Sequence, residues 1–253
     1  MAEWDHVLRL VVVDSAMLFP SLIASALQRL SDSILLLRYR RRPYREYYRA
    51  VMKRRTKLNP RDAVGGRWEM GSKGQIELLQ RYGLMPQHTV LDVGCGSLRG
   101  GLNIIKYLET GNYTGVDISE EILEAGREFL RGASLEGKRP NLFYTDNIEF
   151  KEVQGKTFDY LLAISVLTHM PPEDIETLFA NLHKVMGDRS VFLATVFLSK
   201  TGSIYDTVMR RNFFYPYEWF RDMGARYGLT VERDEKGDAK QNLLVIRKQA
   251  AST

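Results

Sequence analysis

A short apolar run that leads directly into glycine constrains the fold of this chain more than any other feature. Residues 90–93 have the pattern of a buried strand, and Gly94 and Gly96 follow them at once. Glycine adopts backbone angles that are closed to other residues, so this spacing predicts a tight turn after the strand. A helical pattern begins near Leu98, and the free N–H groups at the start of a helix favour a polar or anionic ligand.

An acidic residue closes the next apolar run. Asp117 ends the stretch Tyr-Thr-Gly-Val-Asp, 21 residues after Gly96. A carboxylate at the tip of the second strand can accept both ribose hydroxyls of an adenosine-containing cofactor. The dinucleotide fingerprint G-x-G-x-x-G requires glycine at position 99, where this chain has Arg99. The pattern therefore predicts an adenosine-binding site without the dinucleotide fingerprint.

Strand and helix patterns alternate along most of the chain. Strands are predicted at about 89–93, 112–117, 141–145, 158–164, 190–197, 229–234 and 242–247. Helices are predicted at about 72–83, 99–109, 171–186 and 216–227, and a further helix is predicted to begin at Ser119 as its N-cap. This alternation predicts an α/β fold with a mostly parallel sheet that helices cover on both faces. A short turn at 236–238 joins the last two strands and predicts an antiparallel edge strand.

The glycine turn resembles the first motif of class I S-adenosylmethionine (SAM) methyltransferases, in which an acid precedes G-x-G. Asp92 is that acid here, and Leu98 stands where the family often has a third glycine. Seven strands with a final hairpin also resemble the Rossmann-like topology of this family over about 70–248. The resemblance implies SAM as cofactor, bound by a domain at 63–253 that follows a helical, basic extension at 1–62.

The resemblance also implies which residues bind SAM, mostly at the tips of the first four strands. Asp117 is expected to hold the ribose, Ile118 to lie against the adenine and Ser165 to lie near the sulfonium. The segment that contains Glu69 and Gly71 either folds over the cofactor or is an ordinary helix start. The complete expected set is Glu69, Gly71, Asp92, Gly94, Gly96, Leu98, Asp117, Ile118, Asp146, Asn147 and Ser165.

Two regions are candidates for contact with the methyl acceptor. The stretch 163–170 resembles the S-V-x-T-H-[LM] sequence of small-molecule methyltransferases, and its His169 is either a general base or a brace for the loop over the cofactor. The segment 199–221 is either part of the acceptor pocket or a plain surface loop. Its candidate side chains, of which Tyr215 is also a candidate base, are Tyr205, Arg210, Arg211, Tyr215 and Tyr217.

Several chemistries are disfavoured by what the sequence lacks. Neither an Asp/Asn-Pro-Pro-Tyr motif nor a Pro-Cys nucleophile is present, which argues against methylation of adenine or of cytosine C5 in DNA. The single cysteine, Cys95, excludes an intramolecular disulfide, and the four histidines have no metal-ligand spacing. The sequence therefore predicts no metal site.

Positive charge is concentrated in one segment of the N-terminal extension. Residues 38–61 contain eleven Arg/Lys against one acidic residue, whereas the whole chain has a net charge of +5. Residues 7–27 are mostly apolar, but Asp14 and Pro20 interrupt them, which predicts a buried or interfacial helix rather than a membrane span. Together, 7–61 could bind an anionic membrane surface, bind nucleic acid, or pack on the body or on a second subunit.

The sequence thus predicts a SAM-dependent methyltransferase that acts on a small-molecule hydroxyl, on a sugar, a lipid or another secondary metabolite. The alternatives are an RNA methyltransferase that uses the basic segment 38–61, and a non-catalytic SAM-binding scaffold. We expect a cytoplasmic protein, peripheral at the membrane if the extension binds lipid.

Overall fold

The computed structural model describes residues 33–64, 68–207, 212–234 and 241–249. The chain divides into two compact units, residues 1–51 and residues 52–253, and the boundary at 62 stays a prediction. The predicted apolar segment at 7–27 and the predicted turn at 236–238 lie outside the described residues. Among the helices within the described ranges, none combines the length and apolarity of a membrane span.

The described part of the first unit is helical. Residues 33–39 form helical turns, and helix α1, Tyr44–Leu58, begins in this unit and continues into the second. The rings of Tyr44 and Tyr47 are buried, with centroids 5.7 Å apart. The ring of Tyr48 stacks on that of Tyr44 at 6.1 Å. The tyrosines that alternate with arginines in the sequence thus pack against one another.

Nine strands form the sheet of the second unit within the described residues. They are β1 Val90–Val93, β2 Tyr113–Asp117, β3 Asn141–Tyr144, β4 Phe158–Ala163, β5 Met186–Leu198, β6 Tyr205–Asp206, β7 Phe213–Tyr215, β8 Leu229–Asp234 and β9 Asn242–Lys248. The order β3-β2-β1-β4-β5 is parallel throughout. Strand β9 pairs antiparallel with both β5 and β8, which confirms the mostly parallel sheet with an antiparallel pairing at its edge.

The helices of the second unit alternate with the parallel strands. They are α2 Pro60–Ala63, α3 Trp68–Arg81, α4 Gly101–Tyr107, α5 Glu120–Gly132, α6 Pro172–Asn181 and α7 Tyr217–Arg226. Every residue of β1 and β2 is buried, so both faces of the central sheet are covered. Central parallel strands accordingly have continuous apolar sequences, which is why they were predictable.

Two parts of the sequence prediction differ from the structure. The helix predicted over 171–186 ends at Asn181, and a 3₁₀ turn at Leu182–Lys184 follows it. Met186 belongs to β5 and pairs with Phe158 of β4. The buried Leu182 and Met186, which the sequence placed on one helix face, therefore lie in a turn and in a strand. The segment 199–221, interpreted either as part of the acceptor pocket or as a plain surface loop, contains β6 and β7, which are too short to leave an alternating pattern in the sequence.

Candidate cofactor and active site

The glycine turn after β1 is held by the carboxylate at the end of β2. Asp117 Oδ2 accepts a hydrogen bond from the Gly96 backbone N–H at 2.9 Å, and Oδ1 accepts one from the Ser119 N–H at 3.0 Å. The Asp117 residue is buried, with 8% of its surface exposed. Each carboxylate oxygen has two lone pairs, so Asp117 keeps acceptor capacity for the hydroxyls of a ribose.

Both glycines of the turn have backbone angles that favour glycine. The φ angles are +73° at Gly94 and +56° at Gly96, as the sequence predicted. A Cβ at Gly94 would lie 2.5 Å from Cγ2 of Val166, and a Cβ at Gly96 would lie 2.7 Å from Cγ1 of Val64. The space beside each glycine is therefore occupied by a protein side chain, a second reason for glycine that the sequence did not predict.

Leu98 is left-handed, with φ of +63°, and is completely buried. Its side chain reaches Gly101 at the start of α4 and Gly126 on α5, where an added Cβ would lie 3.0 Å and 3.2 Å from Leu98 atoms. Only its backbone is therefore positioned to meet a cofactor. Burial of the leucine side chain offsets a left-handed backbone that costs about 1–2 kcal/mol, which explains why a third glycine is not needed here.

Asp92 is paired with a residue that sequence reasoning missed. The Tyr113 hydroxyl donates to Asp92 Oδ2 at 2.6 Å, and both side chains are buried. Burial raises the pKa of Asp92 to about 7, the hydrogen bond from Tyr113 opposes that rise, and the charge of Asp117 adds to it. Burial also raises the pKa of Asp117 to about 6, against the lowering effect of its backbone hydrogen bonds from Ser119 and Gly96.

The ends of β2 and β3 lie side by side. Asp117 pairs in register with Tyr144, whose side chain is exposed, and Ile118 is half-buried beside them. Asp146 is exposed and accepts a hydrogen bond from the Asn147 amide at 2.9 Å. The structure therefore brings the predicted residues Asp117, Ile118 and Asp146 to the same end of the parallel strands, beside Tyr144, which was not predicted.

Ser165 stands at the end of β4 with φ of +59°. Its backbone N–H donates to Thr195 Oγ1 on β5 at 2.7 Å. Its hydroxyl donates to Gln241 Oε1 at 3.1 Å, and Gln241 Nε2 donates back at 3.0 Å. Thr195 and Gln241 thus position Ser165, and neither is distinctive in the sequence.

The two candidate bases have different surroundings. His169 is half-buried at the end of a 3₁₀ turn, Leu167–His169. Tyr215 is completely buried, and its hydroxyl donates to the carbonyl of Met170 at 2.6 Å. Burial raises the pKa of Tyr215 far above its usual value. Because its proton is held by a main-chain carbonyl, Tyr215 is better placed to brace the loop beside His169 than to accept a proton.

The other predicted residues are distributed as follows. Glu69 and Gly71 lie in α3, but the structure does not describe the side chains of residues 65–72. Arg210 and Arg211 also lie outside the described residues. The Tyr217 hydroxyl donates to the Val231 carbonyl at 2.9 Å and so supports the fold. Within the described residues no group of three His, Cys, Asp or Glu side chains could hold a metal ion.

A methyltransferase family model and a curated methyltransferase each match part of this chain. Residues 91–192 match a family model described as "Methyltransferase domain". The probable methyltransferase ltbC of Aspergillus luteorubrus is 34% identical over 89 residues, which cover 34% of this chain and 31% of that protein. The chain thus matches about a third of the length of this curated relative.

Solved structures show the same fold at low identity. Magnesium protoporphyrin IX methyltransferase from Synechocystis PCC 6803, with bound SAH, is 15% identical. Its superposition has a TM-score of 0.58 and covers 81% of this chain and 98% of that one. The glycopeptide N-methyltransferase MtfA, complexed with sinefungin, is also 15% identical, with a TM-score of 0.58 and coverage of 70% and 94%. Likeness at this level of identity establishes the fold alone.

Proposed function

We propose that this chain, which contains a class I methyltransferase domain, catalyses the transfer of a methyl group from SAM to a small-molecule acceptor. The observation that carries the proposal is the bond from the Gly96 N–H to Asp117. It joins the turn after β1 to the acid at the end of β2, and both lie within the matched residues 91–192. The same two features carried the resemblance in the sequence.

The chemistry of the residues at this edge fits SAM. The buried Asp117 carboxylate keeps lone pairs for ribose hydroxyls, and half-buried Ile118 offers an apolar surface for the adenine. Tyr144 and Asp146 are exposed at the end of the neighbouring strand β3. There the Tyr144 ring face and the Asp146 carboxylate acceptor suit the adenine. These residues, with the turn at Gly94–Leu98, would hold the cofactor.

When bound, SAM supplies an electrophilic methyl group on a sulfonium. The protein then has to align the acceptor and remove a proton if the acceptor is a hydroxyl. Ser165, held by Thr195 and Gln241, would position the reacting end of the site. His169 would take the acceptor proton, and Tyr215 would hold the neighbouring Met170 in place.

The acceptor class is inferred from the motifs of the sequence, because the two solved structures, at 15% identity, indicate the fold alone. We propose a hydroxyl on a sugar, a lipid or another secondary metabolite as the acceptor of this chain. The motifs for DNA adenine and cytosine C5 methylation are missing from the sequence, which supports a small molecule.

Two measurements test this function. Calorimetry with SAM should show binding to the folded protein, and an absence of heat from folded protein would refute the proposal. Incubation with methyl-labelled SAM and a fractionated cell extract should then label a lipid, carbohydrate or other small-molecule fraction. Label confined to RNA would support the alternative that uses 38–61, and SAM binding without any labelled product would support a scaffold.

For the first unit, we propose contact with an anionic membrane surface. Ile34 and Leu37 are large apolar side chains with 57% and 67% exposure, and the exposed Arg38, Arg40 and Arg41 follow within seven residues of Ile34. Apolar side chains beside arginines suit the boundary between lipid headgroups and acyl chains. The rings of Tyr44 and Tyr47 are buried, which leaves them unsuited to stack on RNA bases.

Vesicle flotation tests this contact. The chain should float with vesicles of phosphatidylserine and phosphatidylcholine but not with phosphatidylcholine alone. Arg41→Glu changes the charge by two units and should weaken binding about thirtyfold, at about 1 kcal/mol for each unit of charge near the surface, whereas Lys156→Glu in the exposed loop before β4 should not. Retention by single-stranded RNA without vesicle binding would favour nucleic acid, and binding to neither would favour a structural or oligomeric role.

A further inference from the structure

Three aromatic side chains form a ladder across β5, β7 and β6. Phe197 pairs in register with Phe214, and Phe214 pairs with Tyr205. The Phe197 and Phe214 ring centroids are 5.1 Å apart with a 21° angle between the planes. The Phe214 and Tyr205 centroids are 4.7 Å apart, and these rings are parallel within 5°. Residues paired across strands point to the same face, so the three rings form one surface, here called the aromatic ladder.

The aromatic ladder is on the open face of this part of the sheet. Tyr205 is 41% exposed, and Phe197 and Phe214 are half-buried. The residues on either side of Phe214, Phe213 and Tyr215, point to the other face and are buried. The ladder therefore does not form part of the core, and its rings present apolar surface to solvent.

The aromatic ladder adjoins the proposed methyl-transfer position. Alternate residues of a strand share a face, so Thr195 and Phe197 of β5 lie on the same side of the sheet, and both are half-buried. Thr195 Oγ1 accepts the hydrogen bond from the Ser165 N–H at 2.7 Å. The ladder thus begins two residues along β5 from the contact that positions Ser165.

We propose that the aromatic ladder is the platform for the methyl acceptor, and that the acceptor is a planar aromatic compound with a phenolic hydroxyl. This inference rests on the proposed function and selects one class among its acceptors. Stacked rings hold flat π-systems by offset or edge-to-face contact, whereas a sugar needs converging hydrogen-bond groups. The new O–C bond forms as the methyl–sulfur bond breaks, the phenolic proton passes to a base, and the products are an aryl methyl ether and S-adenosylhomocysteine.

Equilibrium dialysis with 2-naphthol and 1-hydroxypyrene tests the platform, with cyclohexanol as the non-aromatic comparison. Binding to the full chain is measured with and without S-adenosylhomocysteine. Tyr205→Ala should reduce aromatic binding about tenfold, at the scale of one ring-stacking contact. Tyr205→Phe should bind within about twofold of the unmodified chain because it keeps the ring. Tyr227→Ala removes a tyrosine ring outside the ladder and should leave binding unchanged.

The possible results separate the platform from the enzyme function. If the chain binds S-adenosylhomocysteine but aromatic binding is absent, or is equal in the unmodified chain and Tyr205→Ala, the platform is refuted and the proposed function stands. If Tyr205→Phe loses as much aromatic binding as Tyr205→Ala, the hydroxyl and not the ring makes the contact, which also refutes the platform. If the chain does not bind S-adenosylhomocysteine, the proposed function fails. Because Tyr205 is on the surface, far-ultraviolet circular dichroism should show that each variant is folded.

Discussion

The carboxylate of Asp117, at the end of β2, accepts a hydrogen bond from the backbone N–H of Gly96, 21 residues earlier in the chain. The group proposed to hold the ribose therefore also holds the turn proposed to meet the rest of the cofactor. The stability of the protein without cofactor and its affinity for SAM should consequently both depend on the Asp117 side chain.

Replacement of Asp117 by asparagine tests this double role. Both carboxylate oxygens accept a backbone N–H, and an amide has only one oxygen, so Asp117→Asn leaves one buried donor without an acceptor. We expect a loss of about 1–3 kcal/mol in the free energy of unfolding, together with weaker SAM binding. Urea unfolding and calorimetry measure the two effects.

Asp159→Asn is the matched control for that variant. Asp159 is exposed, and a single oxygen accepts from both the N–H and the hydroxyl of Thr89, so the amide can keep these contacts. Its stability and SAM affinity should stay close to those of the unmodified chain. Equal losses in the two variants would show that the Asp117 bonds have no special importance.

Alanine at Gly96 should be more costly than alanine at another left-handed glycine. Gly96→Ala introduces a strained φ and a clash with Val64, whereas Gly111 has φ of +87° with no atom within 4 Å of its Cβ position. We expect Gly111→Ala to lose about 1–2 kcal/mol and Gly96→Ala to lose more. The double variant Gly96→Ala/Val64→Ala should be less destabilised than the sum of the single variants, as thermal unfolding would measure. Strict additivity would show that Val64 does not restrict the turn.

Stability of the cofactor-free protein should fall between about pH 4 and pH 7. Burial raises the pKa of Asp92 to about 7 and that of Asp117 to about 6, above the ordinary value of 3.8 in the unfolded chain. The folded state therefore keeps protons that the unfolded state releases in this range. The stability from these groups is fully present below pH 4 and is lost as pH rises through the folded pKa values, at up to about 1.4 kcal/mol per pH unit for each group.

Asp92→Asn isolates the contribution of Asp92 to the pH dependence of the free energy of unfolding. The amide cannot ionise, but its oxygen can still accept the hydrogen bond from Tyr113. Urea unfolding at pH 5, 6, 7 and 8 should show a flatter dependence for Asp92→Asn than for the unmodified chain. An unchanged slope would mean that Asp92 is not the titrating group.

His169 and Tyr215 should have distinguishable effects on turnover. If His169 takes the acceptor proton, His169→Gln should lower kcat by about 10²- to 10⁴-fold without changing the Kd for SAM. Tyr215→Phe keeps the buried ring and removes the bond to the Met170 carbonyl, so we expect about 1 kcal/mol of lost stability and a smaller change in kcat. A larger loss of kcat in Tyr215→Phe than in His169→Gln would reverse these assignments.

Local features of the chain were sufficient to predict the order of the main strands and helices, but not the short strands β6 and β7. Continuous apolar runs such as 90–93 and 113–117 are typical of strands that are buried on both faces, which β1 and β2 are. Ser119 was predicted as an N-cap, and its hydroxyl accepts from the Ile122 N–H at 3.4 Å at the start of α5. These properties depend on residues a few positions apart, so periodicity and capping patterns predict them.

Tertiary structure alone decided which groups meet. Tyr113 reaches Asp92, Gln241 reaches Ser165, and Val64 packs beside Gly96. The same packing buries Tyr215. Each contact joins residues that are distant in the chain and that only the packing of strands and helices in the folded domain brings together. Sequence by itself therefore determined the strand tips and their acids, and the sheet determined the partners that set their geometry and charge.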